Sequence, residues 1–231
     1  MPPEEALPRA GSRPAAPSFR ILPRDRVAVA KVFVAAACLV PFAIVAAKIA
    51  ALIPFGANPV EEVLHSMGKT GLNLLWITLA VTPVRKLTKL NWLVRLRRML
   101  GLFSFFYLTL HVVTYAVLDR GLDLASLVVD VAQRPYITAG MLGFTLLIPL
   151  AVTSTHGWQR RLGRNWTRLH RLVYPAAILG AVHFWWQVKA DIREPLVYAV
   201  LLGVLLGYRA VDARLRARRR RAAAAAAQRG A

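Results

Sequence analysis

The apolar positions of this chain fall in long runs, not in the alternation of a strand or the one-sided stripe of a surface helix. A hydrocarbon core of about 30 Å takes about 20 helical residues to cross, and several runs are of that order. Val27 to Phe55 is broken only by Lys31, Pro41 and Lys48; Met99 to Leu118 and Tyr136 to Thr155 carry no formal charge; Leu172 to Val188 and Pro195 to Tyr208 follow. Gly71 to Val84 is the short one, about 21 Å of helix at 1.5 Å per residue. It must borrow Thr70, Lys69 or part of the preceding turn to cross, or else be re-entrant. The pattern predicts an all-α integral membrane protein, a six-transmembrane-helix bundle.

Charge orients the bundle, because Lys and Arg in short loops are retained in the cytoplasm. Six basic residues lie before or at Lys31, six between Arg85 and Arg98, five between Gln159 and Arg171, and eight from Arg209 onward, together 25 of the 31 Lys and Arg. The intervening loops carry Glu61, Glu62, Asp119, Asp123, Asp130, Asp191 and Glu194 among fewer cations. Those loops belong outside, with both termini in the cytoplasm of a bacterium and the spans in its inner membrane. The partition also explains a formal net charge of +20 without nucleic acid, which such a charge would suggest in a soluble protein. Near an anionic leaflet each basic side chain contributes roughly 1 kcal/mol, so membrane lipid is the partner of the basic ends.

Composition agrees, with 57% apolar and 18% charged residues in 231, too apolar for an ordinary soluble domain. Residues 1–26, rich in Pro, Arg and Ala, read as a disordered basic cytoplasmic leader without the apolar core of a signal peptide. Residues 27–211 read as one membrane domain, and 212–231 as a basic, Ala-rich cytoplasmic tail. No internal sequence repeat is evident. Cys38 is the one cysteine, which excludes an internal disulfide, a four-cysteine iron–sulfur site and covalent haem attachment.

Histidine is the informative residue, because ionisable side chains inside a membrane are costly and mark function. His111 and His183 lie in the third and fifth spans, which run in the same direction, about 10 and 8 Å from their outer ends. Two imidazoles at matching depth on parallel helices can clamp one iron from opposite faces, the requirement of a bis-histidine b-type haem held between bundle helices. The alternative is that each is satisfied by a neighbouring helix. His170 precedes His183 by 13 residues, about 19.5 Å of helix, a separation suited to a second haem on the cytoplasmic side. An ideal helix sets the two about 140° apart, and Pro175 between them can change the phase. The third span offers Arg98 at the matching position, so a second haem has one evident ligand. His156, at the cytoplasmic end of the fourth span, is a candidate for the missing ligand, although its place there suits a surface or headgroup-facing role better. Asn58 and Pro59 read as N-cap and first residue of a short helix that carries His65, placed either to cover the outer haem edge, to meet a partner, or for structure alone.

The blocks Asn58 to His65, Gly68 to Gly71, Thr82-Pro83, Leu96 to Leu102 with Leu110-His111, Arg134-Pro135-Tyr136, Thr153-Ser154-Thr155, and Leu169-His170-Arg171 with His183 occur in order. In this the chain, from about residue 30 to 210, resembles the MsrQ (YedZ) haem-binding subunits of the periplasmic protein-methionine-sulfoxide reductase system, in the ferric-reductase-like transmembrane superfamily. The resemblance implies a six-span cytochrome b, with one or two haems, that carries electrons from the quinone pool outward. The acceptor it implies is a molybdopterin-containing periplasmic catalytic subunit, MsrP, that reduces methionine sulfoxide in oxidised proteins. The chain is then the electron-transfer subunit of an oxidoreductase. The family's haem histidines fall on His111, His170 and His183. Flavin mononucleotide (FMN) is implied by the resemblance alone, and no residue is assigned to it. A ferric or cupric reductase served by a separate flavin reductase is the alternative, and Arg98 in place of a fourth histidine counts against it. A transporter would place acids or broken helices at the midplane; no Asp or Glu lies within a run.

Overall fold

A computed structural model describes residues 24–188 and 191–229, all of them helix, turn or coil with no strand among them. The helices are α1 (Arg24–Ile49), α2 (Pro59–Thr88), α3 (Val94–Thr114), α4 (Leu124–Gln133), α5 (Pro135–Val152), α6 (His156–Leu162), α7 (Arg164–Leu169), α8 (Val173–Gln187) and α9 (Arg193–Arg229). The leader expected over 1–26 lies outside the described residues except for its last three, which open α1. Lys189 of an outer loop and the last two residues of the tail also lie outside them. As far as Arg229 the tail continues α9 as helix.

Four stretches are long and apolar enough to cross a membrane: Arg26–Ile49, Asn91–Asp119, Pro135–Val152 and Arg193–Gln228. The two other runs behave differently. α2 has 30 residues, about 45 Å, but carries Glu61, Glu62, Lys69, Arg85 and Lys86 toward its ends. It is continuous from the Asn58 cap onward, so the short helix bearing His65 and the short apolar run are one element, and the run is not re-entrant. α8 has 15 residues because the chain tightens into a 3₁₀ turn at His170–Leu172. Pro175 accounts for this: it has no N–H to offer the Arg171 carbonyl, and its ring crowds that oxygen.

Sequence signals set the helix ends. The Asn58 side chain accepts from the Glu61 amide with Pro59 at the first turn, and Asp123 caps α4 through the amides of Ala125 and Ser126. Pro135 opens α5. α3 runs into a π-helical turn, Tyr115–Asp119, a local widening found often at functional sites.

Two helical hairpins, α2 with α3 and α5 with α8, form the centre. Small residues permit their close approach: a Cβ on Gly71 would stand 2.7 Å from Leu108, and one on Gly143 3.3 Å from Leu179. One buried cluster joins α2, α5, α8 and α9 around Leu79 and Ala177; a second joins α1, α2 and α3 around Met67 and Tyr107. Tyr107 is fully buried. Its hydroxyl donates to the Cys38 carbonyl and accepts from the Phe42 amide at 3.2 Å, joining α3 to α1 on both sides of Pro41. α9 lies parallel to α2 and is tied along it by Lys69 to Glu194 (2.7 Å), Tyr198 to Asn73 (2.6 Å), Arg209 to the Leu79 carbonyl (2.6 Å) and the ion pair of Lys86 with Asp212. The outer faces of α1 and α9 are apolar and exposed, as at Phe33, Val32, Val200 and Val204.

Candidate functional site

α2, α3, α5 and α8 enclose a cavity of about 420 Å³ into which His111 and His183 both project. That volume is in the usual range for cofactor pockets, about 300–1,000 Å³. Its walls are mostly aliphatic and aromatic, including Leu72, Leu108, Phe144 and Phe184, with polar groups gathered at one mouth.

The two rings face one another with centroids 6.1 Å apart and planes at 76°. A metal–imidazole bond runs about 2.0–2.1 Å, so two imidazoles on one metal have ring centres about 6 Å apart. Each ring is turned by a backbone carbonyl. His111 Nδ1 donates to Leu64 at 2.9 Å, and His183 Nδ1 donates to Tyr136 at 2.7 Å. A carbonyl can only accept, so both rings hold their proton on Nδ1 and leave Nε2 with a free lone pair. Fixing the second nitrogen in this way is how ligating histidines are oriented. No cluster of three or more His, Cys, Asp or Glu suited to a metal occurs among the described residues.

Glycine makes these bonds possible. Gly68 and Gly140 each lie four residues beyond the accepting carbonyl, one helical turn on. A Cβ there would stand 2.8 Å from His111 Nδ1 and 2.7 Å from His183 Nδ1. With no side chain, each turn lets an imidazole lie against the helix backbone and reach the oxygen beneath.

The halves of the site repeat one another. Leu64, Gly68, Gly71 and His111 correspond to Tyr136, Gly140, Gly143 and His183, each 72 positions later. The α2–α3 and α5–α8 hairpins are therefore one design used twice, although no repeat is evident in the sequence as a whole. At the same offset Arg98 corresponds to His170. Arg98 is exposed and faces a cleft against α1.

His170 lies apart from the cavity. Its ring stacks on Trp166 at 3.9 Å, its Nδ1 donates to the Trp166 carbonyl at 3.1 Å, and its Nε2 is buried with no partner among the described residues. His156 is exposed. His65 does reach the cavity mouth, where the Gln187 amide nitrogen donates to its Nε2 at 2.6 Å.

Sequence reasoning missed the rest of the mouth. Asp130, counted as an outer-loop acid, is 7% exposed on α4. It accepts from Tyr115 (2.6 Å) and pairs with Arg120 (2.7 Å) and Arg134 (3.1 Å). Tyr115, Arg120 and Arg134 line the cavity. The signals available were the Gly-x-x-Gly pair at 68–71 and again at 140–143, and the Arg134-Pro135-Tyr136 block.

Known proteins resemble this chain over most of its length. Residues 67–181 match the family model described as ferric reductase like transmembrane component. A relative in Xanthomonas oryzae pv. oryzae (strain MAFF 311018) is 48% identical over 198 residues, 84% of this chain and 90% of its own length. One in Xanthomonas campestris pv. campestris (strain B100) is 53% identical over 164 residues, 71% and 75%. One in Ralstonia nicotianae (strain ATCC BAA-1114 / GMI1000) is 55% identical over 158 residues, 67% and 73%. Each bears the name protein-methionine-sulfoxide reductase heme-binding subunit MsrQ.

Proposed function

We propose, from the premise that this chain belongs to the MsrQ family within the ferric-reductase-like transmembrane proteins, that it is a cytochrome b carrying electrons across a bacterial inner membrane. In this reading α1, α2, α3, α5, α8 and α9 are the six spans, with both termini in the cytoplasm. The electrons come from the quinone pool and go to a periplasmic, molybdopterin-containing catalytic subunit, MsrP. The chain itself makes no bond in the methionine sulfoxide substrate.

The observation that carries the proposal is the pair of imidazoles 6.1 Å apart, each with Nδ1 held by a carbonyl. His111 and His183 are the axial ligands in this reading. Haem, when bound, supplies a one-electron couple whose potential is tuned by axial ligands, burial and hydrogen bonding. The protein's own part would be to hold the two imidazoles 6.1 Å apart and to keep water from the walls through Leu72, Leu108, Phe144 and Phe184. His65 and Gln187 stand at the polar mouth, on the side where a periplasmic acceptor would dock. His170, with its buried and unpartnered Nε2, is the ligand proposed for a second haem toward the basic end, and the haem-to-protein ratio distinguishes one haem from two. FMN rests on the resemblance alone.

The test is a dithionite-reduced minus oxidised spectrum of the detergent-purified chain, with pyridine haemochrome quantification. A b-type α-band is expected, lost in His111→Ala and in His183→Ala. A colourless wild type from haem-sufficient cells would remove the electron-transfer reading.

A further inference from the structure

We propose that the cleft between α1 and α3 at the basic end of the bundle is a binding site for one anionic phospholipid. It is independent of the haem reading, since none of His111, His170 and His183 lines it. The cleft measures about 530 Å³ and takes Lys31 from α1 and Arg95 and Arg98 from α3. All three are exposed, and no described carboxylate lies within ion-pair reach of them. Arg95 and Arg98 are three residues apart on one helix, neighbours whose like charges repel. Three exposed cations lining one cleft, without a described carboxylate to neutralise them, call for an anion.

The rest of the cleft says what that anion is attached to. Leu39, Leu102 and Phe106 line it, all with exposed side chains. From Arg98 to Phe106 the apolar wall descends about 12 Å along α3. A free phosphate would use the rim and leave that wall bare. A diacyl phospholipid has a phosphate for the rim and an acyl chain for the wall, and basic pockets between spans are the recognised seat of such headgroups. Basic residues at this end of a membrane protein are ordinary; what distinguishes these three is that they meet over an apolar groove. Arg160, Arg161 and Arg164 are equally exposed and line no cleft described here.

Native mass spectrometry of the full chain in mild detergent, titrated with phosphatidylglycerol or phosphatidylcholine, tests this. One phosphatidylglycerol is expected to bind in preference to phosphatidylcholine. Each of Lys31→Gln, Arg95→Gln and Arg98→Gln should weaken it about fivefold, the equivalent of ~1 kcal/mol per basic side chain at an anionic surface. The triple variant should weaken it on the order of 100-fold, with phosphatidylcholine binding and circular dichroism unchanged. Arg160→Gln/Arg161→Gln/Arg164→Gln should leave the preference intact, and Leu102→Trp, which fills the groove, should lower phosphatidylglycerol binding with every cation in place. An equal loss in the control triple, or no headgroup preference in the wild type, overturns the site. Displacement of the lipid by inorganic phosphate at equal concentration would reduce it to a bare anion site and overturn the phospholipid assignment.

Discussion

Gly140→Ala is the sharpest perturbation of the site, because it adds one methyl group and removes nothing. That methyl would stand 2.7 Å from His183 Nδ1 and 3.1 Å from both Cγ and Cε1, whereas such atoms sit comfortably at about 3.5 Å. The ring must therefore retreat by most of an ångström. In doing so it gives up the 2.7 Å bond to the Tyr136 carbonyl and carries Nε2 away from its place opposite His111. Metal–ligand distances tolerate about 0.2 Å, and loss of an anchoring hydrogen bond costs about 10- to 100-fold in affinity. Haem affinity should fall by that factor, about 1.4–2.7 kcal/mol, similar to the ~1–3 kcal/mol that overpacking costs. Intrinsic propensity works the other way, since Ala favours a helix over Gly by roughly 0.5–1 kcal/mol. Gly203→Ala on α9, where a Cβ meets nothing within 4 Å, is the matched control. Haemin titration of the apoprotein with pyridine haemochrome quantification provides the readout. Full loading of Gly140→Ala with an unaltered spectrum, or an equal loss in Gly203→Ala, would refute the claim that glycine at this turn exists to seat the imidazole.

Three further outcomes are expected. Tyr107→Phe removes the hydroxyl that bridges Cys38 and Phe42 and should destabilise the bundle by about 1–3 kcal/mol, as an unsatisfied buried group does, with haem content unchanged; unfolding in detergent measures it. Asp130→Ala removes the carboxylate shared by Tyr115, Arg120 and Arg134 and should cost about 1.5–3 kcal/mol, the range for hydrogen bonds to a charged group, since Arg120 keeps Asp119 and Arg134 is half exposed, with Asp130→Asn milder in the same assay. The third is acid dependence. Hydrogen bonds from Lys86 and then Arg216 hold the Asp212 carboxyl below its usual range, so the contribution of this pair is complete above the unfolded carboxylate value of about 3.9 and is lost as pH falls through the lower folded value. Hydrogen exchange of the adjoining α2 and α9 amides should accelerate only in that acid window, and Asp212→Asn should abolish the pH dependence.

What the sequence made legible were features written in single residues. Asn58 and Pro59 mark a helix start whatever surrounds them, and two histidines deep in apolar runs are chemically conspicuous. Hidden were features written in the backbone or in distant pairs. The anchors of His111 and His183 are main-chain carbonyls of Leu64 and Tyr136, which any residue could supply, so only the glycines one turn later betray them. Asp130 looks like a loop acid until α4 brings it to Tyr115, Arg120 and Arg134. Pro175 is legible as a residue that can change the helix phase, but its effect falls at His170–Leu172, a turn earlier, because the missing N–H is felt by the carbonyl behind it. The 72-residue correspondence is carried by few side chains and becomes visible only when the two hairpins are seen to use the same contacts.

That correspondence bears on how the protein comes into being at the ribosome. Each half contributes one imidazole, and the second is synthesised 72 residues after the first. At about 5–20 residues per second the delay is about 4–14 s, an interval in which the α2–α3 half has its own imidazole but not the one that faces it. A ligand gripped from both sides can be captured only once α8 has arrived. On the proposed haem reading, loading waits on chain growth, and a chain ended before His183 would have a first half with nothing to close upon.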